Sequence, residues 1–249
     1  MDASTVSLGF THFIAGSDFL GKSLLVLLLG MSVTSWALIT LKGVARWRRE
    51  RNSREFLCLF RDTGSLGAVQ AEIGAQGIRC PFSHLTAHAL DAQEHYSRYS
   101  PPERAEAETR QAFLVRTMKS VIDEDARLLE NGLPVLATIA STAPFIGLFG
   151  TVWGIYHALI AVSAGGAGTL EKVAGPVGEA LIMTGIGLAV AIPAVIGYNW
   201  LVRGNSVTLS RLDAFANELL TFLSTGKAYA VMQQANSRDS RKHAVYPAR

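Results

Sequence analysis

Three long stretches of this chain contain no Asp, Glu, Lys or Arg, and no other feature limits the possible folds as strongly. They are residues 23–41, 131–170 and 180–202. A helix rises about 1.5 Å per residue, so about 20 apolar residues cross the roughly 30 Å hydrocarbon layer of a bilayer. Helices packed around the core of a soluble protein would present a polar face to water at every turn, which these stretches lack. The sequence therefore predicts an all-α membrane protein with three transmembrane helices.

A dense basic cluster after the first stretch predicts the orientation. Only Glu50 opposes it. Because Lys and Arg next to a span are retained in the cytoplasm, we expect a multi-pass protein of the bacterial inner membrane with a periplasmic N-terminus and a cytoplasmic C-terminus. The cluster lies where anionic lipid would attract it, and it gives no reason to predict nucleic-acid binding. The candidate lipid contacts are Arg46, Arg48, Arg49 and Arg51.

The predicted domains follow from this topology, and the second and third transmembrane helices are expected to continue into the cytoplasm as long helical extensions. The segments are a periplasmic N-terminal segment at 1–19, transmembrane helix 1 at 20–42, a cytoplasmic helical domain at 43–132, transmembrane helix 2 at 133–162, a periplasmic loop at 163–178, transmembrane helix 3 at 179–202, a cytoplasmic helical extension at 203–226 and a basic, disordered tail at 227–249.

Glycine and proline predict where helices break. We expect interruptions at Gly74, Gly77 and Pro81, and a helix start at 100–103, where Ser-Pro-Pro-Glu offers a capping box and a proline in the first turn. The prolines at 134 and 144 are expected to kink the second membrane helix, because each removes a backbone donor.

The chain shows no set of residues typical of an enzyme or of a cofactor or metal site. No nucleophile–base pair or phosphate-binding glycine loop lies in the spans, and Cys58 and Cys80 have no zinc or redox spacing. His84 and His88 stand at i, i+4, but without a third ligand we interpret them as solvated surface. We therefore predict neither enzymatic activity, nor a cofactor, nor a metal.

Small residues line one face of each of the last two spans. In the second span Gly147, Thr151, Gly154 and Ala158 follow at i, i+4, i+7 and i+11, with Gly150 and Gly154 as a further small pair; Thr184, Gly187, Ala191 and Ala194 form the matching face of the third span. Small residues let helix backbones approach closely in lipid. Two interpretations stay open: tight packing within one bundle, or an inner wall against which another helix lies.

The spans also lack a residue that could carry a proton at mid-membrane. No Asp, Lys or Arg interrupts the three uncharged stretches, and Glu179 precedes the third. An acid at the membrane centre costs roughly 2.5–3.5 kcal/mol, whereas at the edge it is hydrated. If protons cross here, a partner must supply the carrier.

Two blocks of sequence resemble the MotA/TolQ/ExbB proton-channel family. The first is LATI at 136–139 followed by APFIGLFGTVWGI at 143–155; the second is GEAL at 178–181, TGIGL at 184–188 and AIPAV at 191–195, up to Tyr-Asn at 198–199. The match runs nearly unbroken from about residue 133 to 202. The N-terminal third is similar only in layout.

The resemblance implies a homopentamer, a bundle whose second and third helices surround a central lumen. In the family that lumen holds the single helices of an ExbD-type subunit dimer, an aspartate of that partner carries the proton, and TonB is energised. Thr151, Thr184 and Glu179 match the family's lumen residues on the proton path. The remaining lumen or helix-packing candidates are Gly147, Gly150, Gly154, Ala158, Gly187, Ala191, Pro144 and Pro193.

Several functions remain open at this point. The ExbB branch, which energises TonB for import through outer-membrane transporters, is favoured over the TolQ branch of the Tol-Pal envelope system by the look of residues 173–178 and 201–205. A non-conducting membrane scaffold and a small-molecule transporter are alternatives of a different class, although a transporter usually shows repeated halves and a polar site at the midplane.

Overall fold

The computed structural model of the protein describes residues 19–63, 65–99, 107–164 and 170–225, and all regular elements in these ranges are α-helices. Three stretches are long and apolar enough to cross a membrane, and they lie within Phe19–Asp62, Arg110–Ile160 and Val177–Ser224. The predicted all-α architecture with three span-capable helices is confirmed. The helices are α1 (Phe19–Thr63), α2 (Leu66–Gln76), α3 (Pro81–Tyr99), α4 (Ala107–Glu130), α5 (Leu133–Ala164) and α6 (Leu170–Thr225).

The second long helix is not continuous, so our prediction of an unbroken helix into the second span was wrong. A turn at Asn131 and Gly132 separates α4 from α5, and Gly132 has a positive φ of 77°. A glycine adopts this left-handed conformation without the steric cost of a Cβ atom. Pro134 consequently lies in the first turn of α5, where its missing N–H removes no intrahelical bond, and the kink expected there has no cause. Pro144 lies inside α5, which continues to Ala164.

The third long helix is continuous, as predicted. It runs as α6 over 56 residues, from Leu170 to Thr225. Its first residues, like the last residues of α5, fall inside the segment that we predicted as a loop at 163–178. The glycine break at Gly77 is confirmed: this residue has a φ of 72° and its N–H bonds to the carbonyl of Ile73 at the end of α2. Gly74 lies inside α2, so no break occurs there.

Some expectations concern residues outside the described ranges. These are the N-terminal segment before residue 19, the helix start at 100–103 and the tail after residue 225.

The chain forms two compact units. The first comprises residues Met1–Gly43 and Gly132–Val202. Its core is built from buried apolar side chains of α1, α5 and α6. Only 11% of the apolar 18-residue segment of α1 is buried within the chain, compared with 39% of the corresponding segment of α6. Most side chains of the first span therefore face outward. The core residues are Leu28, Leu133, Leu136, Ile139, Ala143, Met183, Val190, Ala191, Ala194 and Leu201.

The second unit comprises residues Val44–Asn131 and Arg203–Arg249. Phenylalanine rings form its centre. The ring centroid of Phe60 lies 4.9 Å from that of Phe215 and 5.4 Å from that of Phe222, and Phe82 stacks edge-on against Phe215 at 5.4 Å. Such edge-to-face pairs contribute about 0.5–1.5 kcal/mol each beyond their area burial. The cluster holds the last part of α6 against α1 and α3.

A histidine–carboxylate pair joins α3 to α4 in this unit. His84 Nδ1 lies 3.2 Å from an oxygen of Asp125, with side-chain exposures of only 20% and 10%. The interpretation of His84 as solvated surface was therefore wrong. Desolvation by burial raises the pKa of Asp125, while the hydrogen bond and charge of His84 act in the opposite direction. The sequence spacing of His84 and His88 gave no sign of a partner on another helix.

Candidate functional site

The site lies where α5 and α6 cross within the first unit, and two glycines make the crossing possible. A Cβ atom on Gly147 would lie 2.7 Å from the carbonyl oxygen of Met183 and 3.1 Å from the Cα of Gly187. A Cβ atom on Gly187 would lie 2.7 Å from the carbonyl oxygen of Ala143. The two distances of 2.7 Å are shorter than real Cβ contacts, so the backbones approach as closely as glycine allows.

Two further glycines extend this contact toward the C-terminal end of α5. A Cβ atom on Gly150 would meet the Met183 side chain at 2.9 Å, and one on Gly154 would meet the Cβ of Ala180 at 2.8 Å. The small face of the second span therefore packs against α6 of the same chain. This is the packing interpretation that the spacing left open.

Two threonines bridge the helices beside these glycines. Thr151 is buried, and its Oγ1 lies 2.5 Å from the Oγ1 of Thr184. The same oxygen lies 3.1 Å from the carbonyl oxygen of Gly147, one turn back, and 3.1 Å from that of Ala180 on α6. Thr184 is half-buried, so the pair reaches from the interior of the crossing to its edge.

The proton count of this cluster defines what it can do. A hydroxyl has one proton, and a carbonyl oxygen only accepts. When Thr151 donates to a carbonyl, Thr184 must donate to Thr151, and the remaining lone pairs of Thr184 can accept from an outside donor. When Thr151 donates to Thr184 instead, Thr184 can donate its own proton to an outside acceptor. The pair can therefore bond either a protonated or an ionised group without itself titrating.

The other predicted site residues lie along the same two helices. Ala158 and Ala191 are buried within the chain, whereas Pro144 and Pro193 are half-buried. Glu179 is half-buried and immediately precedes Ala180, the residue that contacts Gly154. The structure thus brings Thr151, Thr184 and the glycines together. That any of these residues lines a lumen stays a prediction.

Sequence reasoning missed Met183 as a participant in the crossing and did not consider His157, which lies further along α5. Met183 fills the space over Gly150, and its backbone carbonyl limits Gly147; its position one residue before Thr184 on the small face was the available signal. His157 is a titratable residue inside an uncharged stretch. Its Nδ1 lies 3.2 Å from the Trp153 carbonyl oxygen, and its ring stacks on Trp153 with centroids 4.6 Å apart.

Comparison with known proteins shows the family of the chain. The sequence profile described as the MotA/TolQ/ExbB proton channel family matches residues 83–214, from α3 into α6. The biopolymer transport protein ExbB of Neisseria meningitidis serogroup A is 41% identical over 194 residues, 78% of this chain and 87% of the relative. ExbB of Xanthomonas campestris pv. campestris strain B100 is 35% identical over 232 residues, 90% of this chain and 92% of the relative. The Tol-Pal system protein TolQ of Haemophilus influenzae is 32% identical over 223 residues, 88% and 95% of the two chains.

Three helices that are apolar and long enough to span a membrane, together with these relatives, identify a helical inner-membrane protein of a channel and transport-energising class. The chain belongs to the MotA/TolQ/ExbB proton channel family.

Proposed function

We propose that the chain is the pore or stator subunit of an ExbB–ExbD motor, which uses the proton motive force to energise TonB for import through outer-membrane transporters. In this proposal five copies form a homopentamer, and an ExbD-type dimer places its single helices in the central lumen. The three spans are 20–42, 133–162 and 179–202, with the N-terminus in the periplasm and the C-terminus in the cytoplasm.

The hydroxyl pair of Thr151 and Thr184 is the observation that carries the proposal. It bridges two helices in stretches without Asp, Glu, Lys or Arg, at a separation of 2.5 Å between the two oxygens. A carboxyl group brought by a partner helix would be costly here in its charged form unless hydrogen bonds compensate it. The pair can bond that carboxyl group in both protonation states. The carboxyl group can therefore gain or lose its proton while it stays hydrogen-bonded to the threonine hydroxyls. Glu179 belongs to the same path at the outer end of the third span.

Exposed apolar surface supports assembly into an oligomer. Within one chain, Phe145 of α5 is 71% exposed and Ile196 of α6 is 64% exposed. Both lie on helices whose glycine face is already occupied by the contact between α5 and α6. Their outward faces therefore meet lipid, neighbouring subunits or a partner helix. A pentamer would give both helices such neighbours.

The TolQ-type role is the alternative. Relatives named ExbB are 41%, 35% and 31% identical to this chain, and relatives named TolQ are 32% and 31% identical. The two groups overlap near 31%, and the higher identities of the Neisseria and Xanthomonas proteins favour the ExbB role. The alternatives of another class, a non-conducting scaffold or a small-molecule transporter, have no comparable support, since the matching family is one of proton channels.

Co-purification tests the proposal. The full chain is co-expressed with an affinity-tagged ExbD-type subunit or, in parallel, with a tagged TolR-type subunit, and the mass of each purified complex is measured by native mass spectrometry. We expect five copies of this chain with two ExbD-type chains. Preferential capture by the TolR-type subunit would establish the TolQ-type role. Failure of both captures would overturn the proposed motor function.

Proton flux separates a motor from a scaffold. The purified complex is placed in vesicles with an imposed proton gradient, and acidification is followed with a pH-sensitive dye. We expect flux that disappears when the partner's membrane aspartate is replaced by Asn. Flux that is absent from the intact complex, or that survives this replacement, contradicts the proposed division of labour.

A further inference from the structure

A basic cleft lies between α1 and α6 in the second unit. Among the described residues that line it are four arginines and one carboxylate, Glu50. Glu50 already bonds two of them, Arg54 at 3.1 Å and Arg211 at 3.0 Å. Arg46 and Arg49 add two further positive charges to the same walls. The cavity at the centre has a volume of about 30 Å³, so it suits a compact anionic group whose substituents extend outside.

The position of Arg46 depends on a glycine of the opposite helix. Its guanidinium group occupies the space in which a side chain at position 204 would begin, and only glycine leaves that space open. Arg46 and Arg49 are half-buried, whereas Arg48 and Arg51 are exposed. Arg51 is engaged with Glu55 of its own helix at 3.2 Å. Of the four arginines that the sequence predicted as lipid contacts, Arg46 and Arg49 therefore line the cleft, whereas Arg48 and Arg51 lie on the open surface.

Neutral polar groups complete the cleft. The side chains of Ser53 and Thr208 line it from α1 and α6. The Thr208 hydroxyl donates to the carbonyl oxygen of Gly204 at 3.0 Å, whereas the Ser53 hydroxyl can donate to an anion. The side chain of Asn205, which is buried, donates to the carbonyl oxygen of Leu129 at 2.9 Å and so holds the end of α4 beside the cleft. Guanidinium and hydroxyl donors that converge on one small cavity are the groups that bind phosphate oxygens.

The distance along the helices places these residues at the level of lipid headgroups. Arg46 follows the predicted end of the first span by four residues, and Asn205 follows that of the third by three. At 1.5 Å per residue this is about 6 Å and 4.5 Å beyond the hydrocarbon, within the headgroup layer of roughly 5–8 Å on each side.

We infer that this cleft binds the phosphate group of one anionic phospholipid per chain. The inference rests on the proposed function only for the membrane side, which makes the lipid one of the cytoplasmic leaflet. It differs from the diffuse attraction expected of Arg46, Arg48, Arg49 and Arg51 together, because only Arg46 and Arg49 line the cleft. A lipid held there also joins α1 to α6, since donors from both helices bind one phosphate.

Native mass spectrometry of the full chain, purified without partner subunits and delipidated, tests the site. Phosphatidylglycerol, or phosphatidylcholine as the zwitterionic comparison, is added in increasing amounts, and bound lipids per chain are counted. We expect saturation near one phosphatidylglycerol per chain. The double variant Arg46→Gln/Arg49→Gln should weaken this binding by about tenfold or more, as expected for lost hydrogen bonds to a charged group. The matched double variant Arg48→Gln/Arg51→Gln should stay within about twofold, because exposed charges contribute little.

A hydroxyl variant keeps the test decisive if loss of Arg46 disturbs the fold. Ser53→Ala removes the hydroxyl that can donate to the phosphate and should weaken phosphatidylglycerol binding by a few-fold, with unchanged subunit number. Equal loss in the two arginine pairs, or equal binding of phosphatidylcholine, would overturn a defined anionic site. Displacement of the lipid by millimolar inorganic phosphate would assign the cleft to free phosphate instead. None of these readouts depends on ExbD or on uptake, so the motor can fail while the lipid site stands.

Discussion

Gly147 and Gly187 face each other where α5 crosses α6, so that a Cβ atom added to Gly187 would lie 3.0 Å from the Cα of Gly147. In a bilayer, lipid tails are as apolar as leucine, and helix association depends on close packing rather than on the hydrophobic effect. The glycine pair supplies that closeness at the level of the threonine bridge. The position of the hydroxyl cluster therefore depends on the absence of two side chains.

Gly187→Ala should destabilise the purified protein. The new methyl group meets the carbonyl oxygen of Ala143 at 2.7 Å, which is backbone and cannot rotate away. Overpacking of this kind costs about 1–3 kcal/mol, and we expect a melting temperature lower by several degrees in detergent.

Gly185→Ala is the matched control, because a Cβ atom there meets nothing within 4 Å. It should be neutral or slightly stabilising, since alanine favours helix over glycine by up to about 1 kcal/mol. Equal melting temperatures for the two variants would show that the crossing is looser than described.

Thr151→Val/Thr184→Val should impair the coupling of proton flow to uptake without impairing assembly of the complex. The double variant keeps shape and removes both hydroxyls, at a cost of roughly 0.5–1.5 kcal/mol for each lost hydrogen bond. We expect an assembled complex with energy-dependent uptake reduced at least about tenfold, because each proton releases about 2.3 kcal/mol per 100 mV only if it crosses. Uptake of a TonB-dependent substrate and complex yield are measured together.

Thr138→Val is the control for this experiment. Its hydroxyl lies in the same helix but bonds the carbonyl oxygen of Pro134, one turn back in α5, at 2.9 Å. Uptake by cells with the Thr138→Val variant should equal uptake by cells with the unmodified protein. Full uptake by the double valine variant at normal expression would make Thr151 and Thr184 packing residues only.

Glu50→Gln should lower stability at neutral pH and lose this effect in acid. Partial burial acts to raise the pKa of Glu50, but hydrogen bonds and charges from Arg211 and Arg54 outweigh it, so the pKa lies below its usual range. A carboxyl with a lowered pKa stabilises the folded state above its unfolded pKa, and this contribution disappears as pH falls through the folded value. Because Glu50 is partly exposed, we expect only about 0.5–1 kcal/mol. Melting curves from pH 7 to pH 3 should converge; a constant difference would exclude the charge as the cause.

Asp125→Asn should act in the opposite direction. Desolvation by burial raises the pKa of Asp125 despite His84, so ionisation at neutral pH costs the folded state energy. A group with a raised pKa stabilises the fold below its unfolded pKa and loses this contribution as pH rises through the folded value. Asparagine keeps a polar partner for His84 without a charge. The variant should therefore match or exceed the unmodified melting temperature at pH 7, and its advantage should vanish toward pH 4. A large loss at pH 7 would mean that the ion pair dominates.

Single cysteines test the orientation. In a Cys58→Ser/Cys80→Ser background, cysteine at residue 8 or 168 should react with an impermeant thiol reagent on cells with a permeabilised outer membrane, and cysteine at residue 97 should react only after lysis. Ser97 is exposed on α3, so its lack of labelling in intact cells would not result from burial. Labelling at residue 97 before lysis would reverse the proposed topology.

The sequence was informative where a property repeats along one helix. The absence of charge over 23–41, 131–170 and 180–202 predicted three span-capable helices, because a bilayer penalises charge wherever a helix crosses it. The spacing of Gly147, Thr151 and Gly154 predicted a face for close approach, since these positions share one side of a helix. Gly77 ended a helix as expected. Each of these depends only on neighbours within a few residues.

The partner across each contact was decided by the tertiary structure alone. Spacing could not choose between a packed face and a lumen wall, because both require small residues; the crossing with Met183 and Ala180 shows the packed contact. It could not pair His84 with Asp125, 41 positions away on another helix, or select Arg46 and Arg49 from a run of similar arginines. Which side chains meet across two helices depends on crossing angle and rotation, and these result from packing over the whole unit.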